Sequence, residues 1–182
     1  MQVDRQEMLE SMQRRGIMPA AIFAENQHRK QVRKYTGEPY FRHCEEVAWL
    51  VAYHCGDDDM IRAAYLHDTV EDTDATIEQI KELFGDKVAG YVADLTDVST
   101  LADGNRAARK AIDREHTWKA SSKAQFIKLA DLISNTRSIR KYDKNFAVIY
   151  LAEKRLLLDG MRDVVKDTDL FKQAKLMIDS DE

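Results

Sequence analysis

Helix-breaking residues are scarce along this chain, and their scarcity constrains the fold more than any other feature. Only 2 prolines and 7 glycines interrupt its 182 residues. Apolar residues recur with helical period over most of the chain, whereas stretches that alternate apolar and polar residues are few. Val47, Leu50 and Val51, for instance, have the spacing that marks the buried face of a helix. The sequence therefore predicts an all-α fold.

Local signals predict about eight to ten helices and several of their ends. Pro39 suits the first turn of one helix, the segment Thr76–Gln79 fits a capping box that opens another, and Gly85 suits its end. Residues 99–104 form the clearest loop. The helices are predicted over about 4–14, 19–33, 39–55, 58–71, 76–85, 86–98, 105–117, 121–141, 145–164 and 168–179.

Length and composition indicate one domain in a reducing compartment. The chain is of the size of a single domain, which we predict over residues 1–182. No apolar run approaches the roughly 20 residues of a membrane-spanning helix, and the polar N-terminal stretch does not resemble a signal peptide. Cys44 and Cys55 are too few for a disulfide framework. We therefore expect a cytoplasmic protein with no membrane partner.

The charge balance limits the partners. The net charge of -4 argues against a nucleic-acid binder, which is usually basic. A small anionic substrate remains compatible, because a pocket needs only local positive charge. The basic run from His28 to Lys34 could supply it, and from this run we expect only Arg33 and Lys34 in a site. The sequence leaves the oligomeric state open, a homo-oligomer included.

Four candidate metal ligands occur in three separate segments, each beside apolar sequence. They are His43, the adjacent pair His67 and Asp68, and Asp131. Imidazole nitrogen and carboxylate oxygen suit divalent cations such as Mn²⁺, Fe²⁺ or Zn²⁺. Burying such groups is costly unless something binds them, and a cation would compensate for that cost. We predict that the four side chains hold one divalent metal ion, with positions left open for water and substrate.

Two further carboxylates follow the central pair of ligands. Glu71 lies four residues after His67, and Asp72 lies four residues after Asp68. In a helix each of these pairs shares a face. A carboxylate beside a metal site can accept a proton from an attacking water or return one to a leaving oxygen. We therefore predict that Glu71 and Asp72 are catalytic.

Three sequence strings resemble one known family. They are RK-(x)2-GEPYFRH, LHDTVEDT and KLADLISNTR, and the resemblance spans roughly residues 20–140. The strings look like the hydrolase domain of the RelA/SpoT homologues, and above all like its small, single-domain alarmone hydrolases. The resemblance implies an all-helical HD-domain bundle. It also implies removal of the 3′-pyrophosphate from guanosine tetra- and pentaphosphate (ppGpp and pppGpp), the alarmones of the stringent response, usually with Mn²⁺.

The resemblance assigns a role to each matching residue. The metal ligands would be His43, His67, Asp68 and Asp131, while Glu71 and Asp72 would orient and activate the attacking water. Arg33 would pack against the purine, and Lys34 would supply charge near the nucleotide. Asn135 would contact the nucleotide, and Arg137 would contact a phosphate. The products would be pyrophosphate and GDP or GTP.

Two positions depart from the family pattern and leave the substrate open. Leu132 stands where the family commonly has a basic residue, and Ser134 where it usually has an aromatic residue or histidine. The same metal site could act on the adenosine analogues of these alarmones or on the 2′-phosphate of NADPH. A regulatory module that keeps the fold without turnover is a further alternative.

Overall fold

The computed structural model describes residues 5–180, and these residues form helices almost throughout. Ten α-helices have eight residues or more, two are single turns of four residues, and a short 3-10 turn spans Leu101–Asp103. The predicted all-α fold is confirmed, while the predicted start of the first helix at residue 4 lies outside the described residues. The α-helices are α1 Arg5–Arg14, α2 Met18–Gln27, α3 Phe41–His54, α4 Asp58–Leu66, α5 Thr69–Asp72, α6 Ile77–Phe84, α7 Asp86–Leu95, α8 Arg106–Lys119, α9 Ser122–Tyr142, α10 Lys144–Asp159, α11 Asp163–Lys166 and α12 Asp169–Asp179.

The longest helix, α9, lies at the centre of the molecule. Its 21 residues pack against α3, α4, α7, α10 and α12. A helix surrounded on all sides is apolar around its whole circumference rather than along one stripe. One cluster of buried apolar side chains extends from Met12 of α1 to Ile178 of α12. No helix among residues 5–180 is long and apolar enough to cross a membrane.

Several helix ends follow the local signals. Asp57 caps α4 by accepting hydrogen bonds from the backbone N–H groups of Asp59 and Met60. Thr76 and Gln79 form the predicted capping box of α6. Gly85 ends that helix with φ = 87°, a conformation that favours glycine.

The predicted helix over 19–33 is wrong in its second half. The α2 helix ends at Gln27, and the chain then turns back on itself through an isolated antiparallel bridge between Val32 and Pro39. Gly37 has φ = 72° at the tip of this turn. Pro39 consequently belongs to the bridge, and α3 begins two residues later than predicted. The turn brings Tyr40 toward the start of α3, beside the site described below.

The predicted helix over 58–71 is interrupted at His67 and Asp68. The His67 Nδ1 atom donates to the carbonyl of Ala64 at 2.8 Å, and the Thr69 hydroxyl donates to the carbonyl of Leu66 at 2.7 Å. Side-chain donors therefore compete for carbonyls that a continuous helix would use. The chain bends where the two polar residues lie.

The predicted helix over 145–164 also ends early, since α10 stops at Asp159. The next residue, Gly160, lies directly against Trp118 of α8. A Cβ atom at position 160 would be 2.0 Å from Cε2 of the indole. The indole Nε1 donates to the carbonyl of Leu157 at 2.9 Å, which fixes α8 against the end of α10.

Candidate metal centre

The four predicted metal ligands converge on one point. His43 comes from α3, His67 and Asp68 from the bend after α4, and Asp131 from α9. The two His Nε2 atoms are 3.2 Å apart. Asp68 Oδ2 lies 3.5 Å from Nε2 of His43 and 2.9 Å from that of His67. Asp131 Oδ1 lies 3.3 and 3.7 Å from the same two nitrogens.

These distances fit a shared cation. Ligand atoms about 2.1 Å from an ion and about 90–110° apart around it are separated by roughly 3.0–3.4 Å. The measured separations cover 2.9–3.7 Å. His43, His67 and Asp68 form a group in which each residue offers one ligand atom within reach of the others. Asp131 approaches this group through its distances to the two histidines. Both the donor types and the spacing therefore suit a divalent metal ion.

Hydrogen bonds on the far side of each imidazole orient its free nitrogen. His67 donates through Nδ1 to the carbonyl of Ala64. The Ser134 hydroxyl donates to Glu46 Oε2 at 2.6 Å, so it accepts from Nδ1 of His43 at 2.9 Å. With a cation bound, both Nε2 atoms would turn a lone pair toward the same point. Such support of a ligating histidine is typical of metal sites.

The two ligand carboxylates stay ionised. Burial raises the pKa of Asp68, but the imidazoles of His67 and His43 have the larger combined effect. They hold this pKa well below its usual range. Burial also opposes ionisation of Asp131, yet Lys128, with Nζ 3.1 Å from Oδ2, holds its pKa well below the usual range. Burial lowers the pKa of His67, but Asp68 and Asp131 together raise it to about 10. The centre thus attracts positive charge, which a cation would supply.

Further hydrogen bonds hold the ligand carboxylates. The Tyr40 hydroxyl donates to Asp68 Oδ2 at 2.7 Å. Asn135 donates through Nδ2 to Asp131 Oδ1 at 2.6 Å. Of these supporting groups only Asn135 was named from the sequence. Tyr40 and Lys128 were missed, although each lies three residues before a ligand in the strings that suggested the site.

A cavity of about 220 Å³ opens beside the ligands and contains both predicted catalytic carboxylates. Glu71 accepts a hydrogen bond from the backbone N–H of Asp97 at 3.2 Å. Burial, followed by the charge of Asp97, raises the pKa of Glu71 above its usual range. Asp72 accepts from Nε2 of Gln31 at 2.9 Å. The structure therefore brings Glu71, Asp72 and Asn135 together with the ligands Asp68 and Asp131.

The positive charge of this cavity comes from residues that the sequence interpretation missed. They do not belong to the run 28–34 but to α8, α9 and α10. The signal on α8 was the helical spacing of Lys110 and Arg114, which lie four residues apart and so share a face. The cations that line the cavity are Lys110, Arg114, Lys128 and Lys154.

The other predicted substrate contacts lie elsewhere. Arg33 and Arg137 line a separate cavity of about 220 Å³, which borders His43 and Ser134. Arg33 donates to the Ser138 hydroxyl at 2.8 Å, while Arg137 donates to Glu46 at 2.6 Å.

Lys34 borders neither of these two cavities. It is exposed, and its Nζ lies 3.6 Å from Asp143 Oδ2. Of the four predicted substrate contacts, only Asn135 shares the cavity of the catalytic carboxylates.

The two departures from the family pattern do not line that cavity. Ser134 is buried behind His43, which it supports. Leu132 is 1% exposed and belongs to the apolar core. Ser134 borders the separate cavity that contains Arg33 and Arg137, whereas Leu132 lines neither cavity. Ser134 therefore supports a metal ligand from a position beside the predicted nucleotide contacts, and Leu132 packs in the core.

Comparisons with known proteins agree on the fold and the family. The family model of the HD domain matches residues 20–154. A protein of Xenopus tropicalis named guanosine-3′,5′-bis(diphosphate) 3′-pyrophosphohydrolase MESH1 is 39% identical over 128 residues, which cover 69% of this chain and 70% of the relative. Its Homo sapiens namesake is 38% identical over 128 residues, with the same coverage.

A solved structure gives the same result. It belongs to a metazoan ortholog of SpoT that hydrolyzes ppGpp and plays a role in starvation responses. The two structures have a TM-score of 0.78 at 29% identity, over 89% of this chain and 92% of the other. The chain belongs to the HD-domain family and, within it, to the RelA/SpoT homologues.

Proposed function

We propose that this protein hydrolyses the 3′-pyrophosphate of guanosine tetra- and pentaphosphate, which yields pyrophosphate and GDP or GTP. The observation that carries the proposal is the convergence of His43, His67, Asp68 and Asp131, beside a cavity that contains the carboxylates of Glu71 and Asp72. The curated relatives named above are pyrophosphohydrolases of this substrate. The complete set of ligands and carboxylates argues against a regulatory module without turnover.

The four convergent side chains would hold one divalent cation, and we propose Mn²⁺. The mixture of imidazole nitrogen and carboxylate oxygen suits a borderline-to-hard ion. Such a cation lowers the pKa of a coordinated water and offsets negative charge on phosphoryl oxygens. The protein keeps the ligands in place from behind, through Ser134 on His43 and through Lys128 on Asp131.

In the proposed reaction, Glu71 and Asp72 orient the attacking water and accept its proton. The water oxygen forms a bond to the phosphorus attached at the 3′ position. The bond from this phosphorus to the nucleoside 3′-oxygen breaks, and that oxygen takes up a proton. The raised pKa of Glu71 makes its carboxylate a stronger proton acceptor than an unperturbed glutamate.

Four further residues would bind the nucleotide. Asn135 would contact the nucleotide from within the catalytic cavity. The other three, which lie outside that cavity, are Arg33, Lys34 and Arg137.

We further propose that residues 1–182 form a single domain, which the shared apolar core supports. We also propose that the enzyme acts in the cytoplasm on a small nucleotide, without nucleic-acid or membrane partners.

The test is a nucleotide panel with wild-type protein and the Glu71→Gln variant. Mn²⁺-dependent release of pyrophosphate from ppGpp is expected. Glu71→Gln should lower kcat by roughly 10²–10⁴-fold, because a positioned general base contributes about that much, while Mn²⁺ binding persists. Glu78→Gln, on the exposed surface of α6, is the matched control.

Other outcomes would change the assigned substrate or contradict the proposed function. Turnover of the adenosine analogues alone, or phosphate release from NADPH alone, would change the substrate. Unchanged turnover in Glu71→Gln would remove Glu71 from the catalytic assignment. Absence of turnover across the panel would favour the regulatory alternative.

A further inference from the structure

The cations in the catalytic cavity fall into two groups. Lys110 forms ion pairs with Asp97 and Asp113, and Lys128 forms one with Asp131. These two lysines are therefore already neutralised. Arg114 and Lys154 differ from them, although they line the same cavity.

Among residues 5–180, neither Arg114 nor Lys154 has an ion pair or a hydrogen bond from its charged group. Both instead contact an aromatic ring. The Arg114 guanidinium lies 5.2 Å from the centre of the Trp118 ring, and Lys154 Nζ lies 5.1 Å from that of Tyr150. Such contacts position a cation without occupying its N–H donors. The Arg114 Nε is buried and has no hydrogen-bond partner in the described part of the chain.

The packing of two helices brings these cations to one wall of the cavity. Arg114 belongs to α8 and Lys154 to α10, and the two helices are in contact. The Trp118 hydrogen bond to the carbonyl of Leu157 fixes this contact. Asp68 and Asp131 also line the cavity. One space thus extends from the metal ligands to two cations that lack a counter-charge.

Half-buried cations without a partner are costly, and an anion is the ligand that relieves the cost. Burial, followed by the charge of Lys128, lowers the pKa of Lys154 to about 8. An anion beside the ammonium group would favour its charged form again. Arginine binds phosphate through its planar, forked donors, and lysine binds it as a point charge.

We propose that Arg114 and Lys154 form an anion subsite for the outer phosphate of a 3′-diphosphate whose inner phosphate lies at the metal centre. This inference rests on the proposed function and adds a basis for specificity to it. Because the ligands Asp68 and Asp131 line the same cavity as these cations, the two phosphates of one diphosphate would occupy the two ends of that space. A monophosphate ester would leave the subsite without its anion. The enzyme should therefore prefer 3′-diphosphates to nucleotides with a single phosphate at that position.

The substrate also carries a 5′-diphosphate, which could bind the same two cations. The test therefore distinguishes binding of the 3′-diphosphate from binding of the 5′-diphosphate. Three guanosine nucleotides are compared by calorimetry: the 3′,5′-bis(diphosphate), the form with one phosphate at 3′, and the form with one phosphate at 5′. Binding is measured to Mn²⁺-loaded Glu71→Gln protein, which prevents turnover. The Lys154→Gln and Arg114→Gln changes are added to this background.

Each change should weaken binding of the two 3′-diphosphates about tenfold, because a charge-assisted hydrogen bond contributes about that much. Binding of the 3′-monophosphate should stay unchanged. Lys154→Arg keeps the charge and should retain binding, which separates loss of charge from a folding defect. Lys172→Gln and Arg14→Gln, on the exposed surfaces of α12 and α1, are the matched controls.

Three results would overturn the subsite: no effect, an equal effect on all three nucleotides, or an effect only on the two that carry a 5′-diphosphate. Hydrolysis by the wild-type protein is measured separately. If the wild type binds these nucleotides without hydrolysing them, and the binding pattern is as expected, the proposed function fails while the subsite stands.

Discussion

The hydrogen bond behind His43 shows how a single hydroxyl can decide the state of a metal ligand. The Ser134 hydroxyl donates to Glu46 and accepts from Nδ1 of His43, so that the Nε2 lone pair faces the other ligands. Without an acceptor at Nδ1 the imidazole loses its preferred tautomer and its orientation. The contribution of Ser134 to the site is therefore indirect and acts through His43.

We expect Ser134→Ala to weaken Mn²⁺ binding by roughly 10–100-fold, as loss of a supporting hydrogen bond does in other metal sites. Titration calorimetry of the metal-free protein with Mn²⁺ measures the change. Ser11→Ala on α1 provides a control of the same chemistry remote from the ligands. Unchanged Mn²⁺ affinity in Ser134→Ala would mean that packing alone orients the His43 ring.

Among single residues, the metal ligands could be predicted from residue type and spacing. His43, His67, Asp68 and Asp131 were found because each lies beside apolar sequence in a short string. The partners behind them could not be found in this way. Ser134 is 91 residues away from the imidazole that it supports, and only the packing of α9 against α3 joins them.

The elements show where periodicity is informative and where it fails. The apolar pattern over 58–71 is continuous, but hydrogen bonds from His67 and Thr69 interrupt the helix. Periodicity measures which face is buried and carries no information about side chains that compete for backbone carbonyls. The cations of the cavity show the same limit, since they come from three helices that only the tertiary structure brings together.

A pair of glycines tests the contact between α8 and α10. Gly160→Ala should destabilise the protein by about 1–3 kcal/mol or more, because the new Cβ overlaps with the indole of Trp118 and overpacking costs about that much. Gly90→Ala is the matched control within α7, where a Cβ has open space. It should be stabilising by about 0.4–1 kcal/mol.

Urea unfolding followed by circular dichroism gives both free energies of unfolding. Equal effects of the two substitutions would contradict the close approach of Trp118 to Gly160. The same contact fixes the two helices that carry Arg114 and Lys154. Gly160→Ala should therefore also weaken binding of 3′-diphosphates, whereas Gly90→Ala should not.

For the molecule as a whole, the metal centre joins parts of the chain that are far apart in sequence. Its ligands lie on α3, on the bend after α4, and on α9 at the centre of the core. The all-α class followed from the scarcity of helix breakers and from apolar periodicity. The order in which the helices pack did not, because contacts such as that of α12 with α9 depend on surfaces that local sequence does not specify.

Because a bound cation joins these three elements only in the folded chain, it should stabilise the fold by mass action. At a free Mn²⁺ concentration of about 100 times Kd, the gain is about 2.7 kcal/mol, or roughly 5–10 °C in Tm for a chain of this size. Thermal unfolding is followed with added Mn²⁺ and with a chelator. Asp131→Asn should abolish the shift, and Asp163→Asn, exposed at the start of α11, should keep it. If Asp131→Asn retains the full shift, the cation binds elsewhere, and if Mn²⁺ leaves the wild-type Tm unchanged, the four side chains do not form a metal site.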